Sequence, residues 1–282
     1  MNILITGGNS SLGVELKHYL NQRFKVYTSG RKNCDVLWDW NDDPGNWPIP
    51  ANIDVLIHCA ASYGGNGYKN IKQAIEINAV GTLKVCEYVK MHQIKHLIHI
   101  SSIFSELKSE SYFYNSYSLT KSYSERIVDL FFKKTGFKTT ILRPSQFYGV
   151  GDRFKKNQPF FYKIIEACMK GEAITFYGSK TPKRNYLFVS DVVEVISRVI
   201  DQKVVGTFNF TSQSNVSYEE IALETYKLFN KIPNISFDSS KVNMPDNIFE
   251  YSESLYKIIG FTPSVSIQEG IRLVTNAMTD EK

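Results

Sequence analysis

Tyr117 and Lys121 stand four residues apart in the stretch "YSLTK", downstream of an apolar run, "HLIHI", that ends in the serine pair Ser101 and Ser102. On a helix that spacing puts the phenol and the ammonium on one face. A phenol titrates near pH ~10 and exchanges protons poorly at neutrality, unless a neighbouring cation stabilises its anion. The pair therefore has the makings of a proton donor or acceptor with a built-in charge. The spacing alone is weak evidence, because Tyr68 and Lys72 repeat it. Only Tyr117 and Lys121 come after a strand-like run closing on serines.

A second chemistry is written near the start, in "LITGGNSSLG" from Leu4 to Gly13. An apolar strand, a glycine turn and a helix start aim backbone N–H groups and a helix dipole at a pyrophosphate. Gly7 makes the turn, Ser11 and Leu12 are expected to face the cofactor with it, and Gly13, around which the helix opens, lets it pack close to the strand. Ser10 stands where such loops usually have their middle glycine, and its hydroxyl is a donor for a phosphate oxygen. On the loop alone, a turn that binds nothing is an equal reading. The end of the next strand, "TSGRK", offers Ser29, Arg31 and Lys32, donors suited to a ribose 2′-phosphate, where an NAD site usually has an acidic residue. NADPH/NADP is thus expected over NAD, with Asp39 as an acceptor for the adenine amino group.

The elements needed to hold these residues can be read from the hydrophobic pattern. Short β-branched runs predict strands at 2–6, 24–28, 35–38, 54–59, 96–101 and 139–143, with helices over 12–21, 71–91 and 117–134 between them. Pro44, Gly45, Pro48 and Pro50 reduce one crossover to a loop. The expected fold class is α/β: a Rossmann-type doubly wound parallel sheet from 1–143 plus 186–211, with a smaller mixed substrate lobe from 144–185 plus 212–282. The 282 residues, 43% of them hydrophobic, suffice for such a core. No apolar run approaches the ~20 residues of a membrane span and no leader precedes the first strand, so a cytoplasmic chain is expected. Four unpaired cysteines, Cys34, Cys59, Cys86 and Cys168, read as reduced thiols with no metal site. A net charge of +5 is too small and dispersed to suggest nucleic acid.

These pieces occur together with "HCAAS" from His58, Asn78 with Gly81-Thr82, "LRPSQFYG" from Leu142, "RNYLFVSDV" from Arg184, "FNFTS" around Asn209 and the closing "LYKIIGFTPSVSIQEGI". In that order they resemble an extended short-chain dehydrogenase/reductase of the NAD-dependent epimerase/dehydratase family, over nearly the whole chain. The resemblance implies that Tyr117 moves the proton of a sugar hydroxyl or keto oxygen, Ser102 hydrogen-bonds that oxygen, and Lys121 also holds the nicotinamide ribose. It implies that Cys59, Ala60, Ala61, Asn78, Arg143 and Pro144 line the cofactor, and that a nucleoside diphosphate sugar is the substrate. Arg184 is then the pyrophosphate contact and Tyr148 a support of the substrate site. Asn185 replaces the aspartate that usually comes after the arginine. A homodimer built on the two long helices is also implied.

The two positions after the serine pair narrow the reaction. Related dehydratases place an Asp-Glu pair there and epimerase-reductases a cysteine, whereas this chain has Ile103 and Phe104. The resemblance then points to hydride transfer at one carbon, in a 4-keto-6-deoxy nucleotide-sugar reductase using NADPH. A 4-epimerase that retains NAD and a non-catalytic NADP-binding sensor are the alternatives.

Overall fold

The computed structural model describes residues 1–133 and 135–280. Along the chain run β1 (Asn2–Thr6), α1 (Ser11–Leu20), β2 (Lys25–Gly30), β3 (Val36–Leu37), β4 (Val55–His58), α2 (Tyr68–Ala74), α3 (Gly81–Met91), β5 (His96–Ile100), α4 (Ser116–Phe132) and β6 (Lys138–Pro144). Next come β7 (Gln146–Tyr148), α5 (Asp152–Asn157), α6 (Pro159–Lys170), β8 (Ile174–Tyr177), β9 (Lys183–Phe188) and α7 (Val189–Gln202). The chain closes with β10 (Gly206–Phe210), β11 (Asn215–Ser217), α8 (Tyr218–Leu228), β12 (Ile235–Asp238), α9 (Ser254–Ile259) and α10 (Ile267–Asp280).

Two compact units result. The first comprises Met1–Pro144, Val193–Phe210 and Ser252–Phe261. Its seven-stranded parallel sheet has the order β10-β6-β5-β4-β1-β2-β3, with helices packed against it, which is the expected Rossmann-type α/β class. Central strands of such a sheet are covered on both faces and read as unbroken apolar runs. Accordingly Ile3, Leu4 and Ile5 of β1 and Leu56 and Ile57 of β4 are fully buried. The proline-rich crossover is a loop with one 3₁₀ turn at Pro44–Asn46, and Trp47 behind it stacks on Trp38, ring centres 4.4 Å apart.

The helix expected over 71–91 starts earlier, at Tyr68, and passes through a π-helical turn at Ile75–Val80 before continuing as α3. α4 opens on a capping box in which the Asn115 side chain accepts from the Tyr117 and Ser118 amides, while the Ser118 hydroxyl accepts from the Asn115 amide. Its expected last residue, Lys134, lies outside the described residues, as do residues 281 and 282 of the expected lobe.

The second unit comprises Ser145–Val192, Thr211–Tyr251 and the chain from Thr262. It holds a three-stranded sheet, β11-β9-β7, and a two-stranded one, β12-β8. The expected boundaries need two corrections. The apolar run at 186–188 has the composition of a core strand, but β9 pairs with β7 and β11 and stays in the second unit. The return to the large sheet is made from Val193 onward, by the rest of α7 and β10. Conversely α9 belongs to the first unit, where the Arg198 guanidinium donates to the carbonyls of Ile259 and Gly260 at 3.3 and 3.1 Å.

Candidate active site

The glycine loop is built as the strand-turn-helix context demands. Gly7 adopts φ +68°, and a Cβ there would lie 2.8 Å from the Ala60 backbone. A Cβ on Gly13 would lie 2.4 Å from the Gly7 carbonyl oxygen. Both positions are closed to any side chain. Ser10, in extended conformation, is the N-cap of α1: its hydroxyl oxygen accepts from the Gly13 amide at 3.0 Å. That leaves the hydroxyl proton to be donated outward, and Ser11 and Leu12 are the buried first residues of the helix. The serine in the glycine position thus completes the helix start.

A cleft of about 500 Å³ opens over this loop, lined by Gly7 to Ser10, Gly30, Arg31, Lys32, Trp40, Ala60, Ala61 and Ile77. The Asn9 side-chain amide donates to the Lys32 carbonyl and so ties the basic turn after β2 to the glycine loop. A dinucleotide's phosphates have here a glycine cradle, a helix N-terminus and two cations. Asp39 is not among the cleft residues. Its carboxylate accepts from the Asn41 amide and side chain, both at 2.9 Å, and stabilises its own turn. Its neighbour Trp40 lines the cleft instead, offering an aromatic face rather than an acceptor. Trp40 stands in a turn beyond the two-residue strand β3 while Trp38 is buried in the core against Trp47, a division that no local periodicity encodes.

The cleft's other wall is held by a buried chain of hydrogen bonds. The Asn78 side-chain oxygen accepts from the Ser62 amide at 2.7 Å, and its amide donates to the Ser62 carbonyl at 2.8 Å and the Thr120 hydroxyl at 2.9 Å. Asn78 therefore supports the site, by pinning the loop after Cys59, Ala60 and Ala61 to α4. The Thr82 hydroxyl spends its proton on the Asn78 carbonyl, so His58 Nε2 donates to Thr82 and His58 Nδ1 accepts from Thr6. Burial keeps that imidazole neutral, its pKa pulled down to about 3. His58, not singled out from the sequence, links the end of β1 to α3. Burial likewise pushes the Cys59 thiol up to about 12, an inert group.

Ser102, Tyr117 and Lys121 come together in the first unit as the spacing predicts. The Ser102 hydroxyl hydrogen-bonds the Tyr117 phenol, and the ring of Tyr63 lies 5.4 Å from that of Tyr117. Lys121 is 2% exposed, and its ammonium donates to the Ile100 carbonyl at 2.6 Å. The acidity of Tyr117 differs from the expectation that Lys121 lowers it. Burial and the Tyr63 phenol hold Tyr117 above the ordinary range, and the opposing influence is the bond from Ser102. Burial also draws Lys121 down to about 8, against the pull of Cys59 and Glu125. The copy at Tyr68 and Lys72 is a surface feature: Tyr68 is 80% exposed and Lys72 pairs with Glu76.

Three expected site residues are placed otherwise. Arg143 does not reach toward the cleft, because its guanidinium is taken up by Glu125 and Glu106. Pro144 is the buried end of β6. Tyr148 is 1% exposed in an aromatic cluster with Phe161, Tyr186 and Phe188, too enclosed to meet a ligand. In the second unit, Arg184 is buried, donates to the Lys183 and Pro245 carbonyls and lies over the Tyr218 ring. Asn185 serves a different purpose from a carboxylate partner: its amide donates to Ser212, Ser214 and Asn215 and its oxygen accepts from the Ser212 amide, which fixes the turn before β11.

Comparison with known proteins agrees with this architecture. The sequence profile of the NAD dependent epimerase/dehydratase family matches residues 3–210. A trifunctional UDP-glucose 4,6-dehydratase/UDP-4-keto-6-deoxy-D-glucose 3,5-epimerase/UDP-4-keto-L-rhamnose-reductase of Arabidopsis thaliana is 26% identical over 79% of this chain, which spans 35% of that protein's length. A dTDP-4-dehydro-6-deoxy-D-allose reductase of Streptomyces sp. is 23% identical, covering 76% of this chain and 71% of its own. Among solved structures, UDP-glucuronic acid 4-epimerase from Bacillus cereus in complex with NAD superposes with a TM-score of 0.78, at 20% identity and over 99% of each chain.

Proposed function

The chain belongs to the NAD-dependent epimerase/dehydratase family, and from the site it builds we propose that it reduces the 4-keto group of a 6-deoxy nucleotide sugar with NADPH. The observation that carries this reading is the pairing of the Ser102 hydroxyl with a phenol held in its protonated form. Beside that pair, Ile103 is buried and Phe104 half-buried, so neither next position offers a second acid or base. One proton donor suffices for reduction at one carbon; elimination of water or inversion at neighbouring carbons needs more.

A nicotinamide cofactor held by the Gly7 to Ser10 loop, Arg31 and Lys32 would supply the hydride for the carbonyl carbon. Tyr117 gives its phenolic proton to the oxygen as that oxygen takes on negative charge, and Ser102 orients the same oxygen by hydrogen bonding. Lys121, four residues on, keeps its buried ammonium on the Ile100 carbonyl, and solvent returns the proton to the phenol. Arg31 and Lys32 on the cleft favour a cofactor with a 2′-phosphate. Arg184 of the second unit is the proposed contact for the substrate's pyrophosphate. A homodimer is proposed on the exposed apolar residues Ile75, Leu83 and Leu130 of the long helices, checked by sedimentation of the wild type against Leu130→Glu.

The test is direct. Given a dTDP- or UDP-linked 4-keto-6-deoxyhexose, the protein should consume NADPH and yield the 4-hydroxy sugar. Protein that purifies with bound NAD and interconverts UDP-hexoses without added cofactor is a 4-epimerase instead. Cofactor binding with neither activity makes it a dinucleotide sensor.

A further inference from the structure

Glu125 lies four residues beyond Lys121 and eight beyond Tyr117 on α4, on the same helical face. The residue is 5% exposed. One oxygen accepts from the hydroxyls of Ser101 and Ser105, the latter at 2.6 Å, and from Arg143 Nε at 2.9 Å. The other accepts from Arg143 Nη2 at 2.5 Å. A carboxylate buried this far keeps its charge only when it is matched and hydrogen-bonded, and Arg143 provides both.

Ser101 precedes the 3₁₀ turn Ile103–Glu106, whose N-cap is Ser102, and Ser105 is a buried residue within it. The same turn is held at its far end, where Glu106 accepts from Arg143 Nη1 at 2.5 Å and from the Asn209 side chain at 2.7 Å. Within the turn the Ser102 hydroxyl oxygen accepts from the Phe104 amide at 3.2 Å. Ser102 is thus the one hydroxyl of the segment aimed at the phenol, between two hydroxyls fastened to Glu125.

We propose that Glu125 is a positioning residue of this site: clamped by Arg143, it fixes through Ser101 and Ser105 the turn that presents the Ser102 hydroxyl to Tyr117. Arg143, whose sequence position suggested cofactor contact, serves this clamp. Glu125 touches no reacting atom; its effect passes through Ser102. The ketoreductase reading enters only in the choice of activity assay.

The decisive variant is the full-length Ser101→Ala/Ser105→Ala protein, which releases the turn and leaves the buried ion pair intact. Amide hydrogen exchange at 103–107 should quicken while the β1 and β4 strands keep their protection. The kcat for the 4-keto sugar should fall about 10- to 100-fold, with Kd for NADPH within about twofold of wild type. Wild-type exchange at the turn overturns the proposal, and so does an unchanged kcat once the turn is loosened. Glu125→Gln, which keeps the shape and loses the charge, should show the same signature; should it not fold, the serine variant decides. If wild-type protein reduces no keto sugar, the functional reading fails, and the exchange experiment still judges the clamp.

Discussion

The Lys121 ammonium donates to the Ile100 carbonyl at 2.6 Å, so the last residue of β5 fixes where the site's buried charge sits. Burial lowers that lysine to about 8. The group is therefore protonated at pH 7 and loses its charge as pH rises through about 8. The expected consequence is a kcat/KM profile that falls on the alkaline side near that value. Lys121→Arg, charged at all these pH values, should move the fall upward; an unmoved profile would assign it to another group.

Tyr117→Phe removes the proposed proton donor and leaves the ring packing against Tyr63. Turnover of the 4-keto sugar should drop by about 10²- to 10⁴-fold, with NADPH affinity retained because the glycine loop and basic turn are untouched. Pre-steady-state mixing with NADPH and ketone reads both quantities. A variant that keeps most of its rate would give the acid's role to another residue.

Arg31 and Lys32 meet the cleft at the end of β2. For Arg31→Ala the dissociation constant for NADPH should rise about 10- to 100-fold, the range of a lost charge-assisted hydrogen bond, while that for NADH stays put. Fluorescence titration with both cofactors makes the comparison. Equal losses would show that Arg31 does not read a 2′-phosphate.

Ser10 caps α1, which gives its substitution a definite stability signature. Ser10→Ala should cost about 1 kcal/mol in urea unfolding and Ser10→Gly only a few tenths. Ser10→Gly restores the usual loop composition and should bind cofactor at least as well as the native chain. A large affinity loss in Ser10→Gly would show that the hydroxyl itself contacts phosphate.

What was legible in the sequence is what local rules encode. The strand-turn-helix at Leu4 to Gly13, the loop forced by Pro44 to Pro50, and the shared face of Tyr117 and Lys121 come from backbone sterics and helical period. What was not legible depends on partners far along the chain. Arg143 reads the same beside a cofactor or beside Glu125, and Tyr148 the same in a pocket or a core. The strand at 186–188 is apolar enough for either sheet, and its pairing with β7 and β11 is a tertiary outcome. Asp39 and Trp40 show how one position decides: the acceptor faces its own turn and the aromatic next to it lines the cleft.

The π-helical turn at Ile75–Val80 carries a constraint on how this chain can vary in length. Such a turn holds one residue more than a regular helix needs, and Asn78 sits inside it. Losing a single residue there would restore ordinary helical winding and swing Asn78 through about 100°, away from Ser62 and Thr120. The helix would become more regular as the loop behind the glycine cradle lost its anchor. A change of length along this helix would thus reach the cleft over the glycine loop, and the surplus residue acts as a spacer that keeps Ser62 and Thr120 in phase with Asn78.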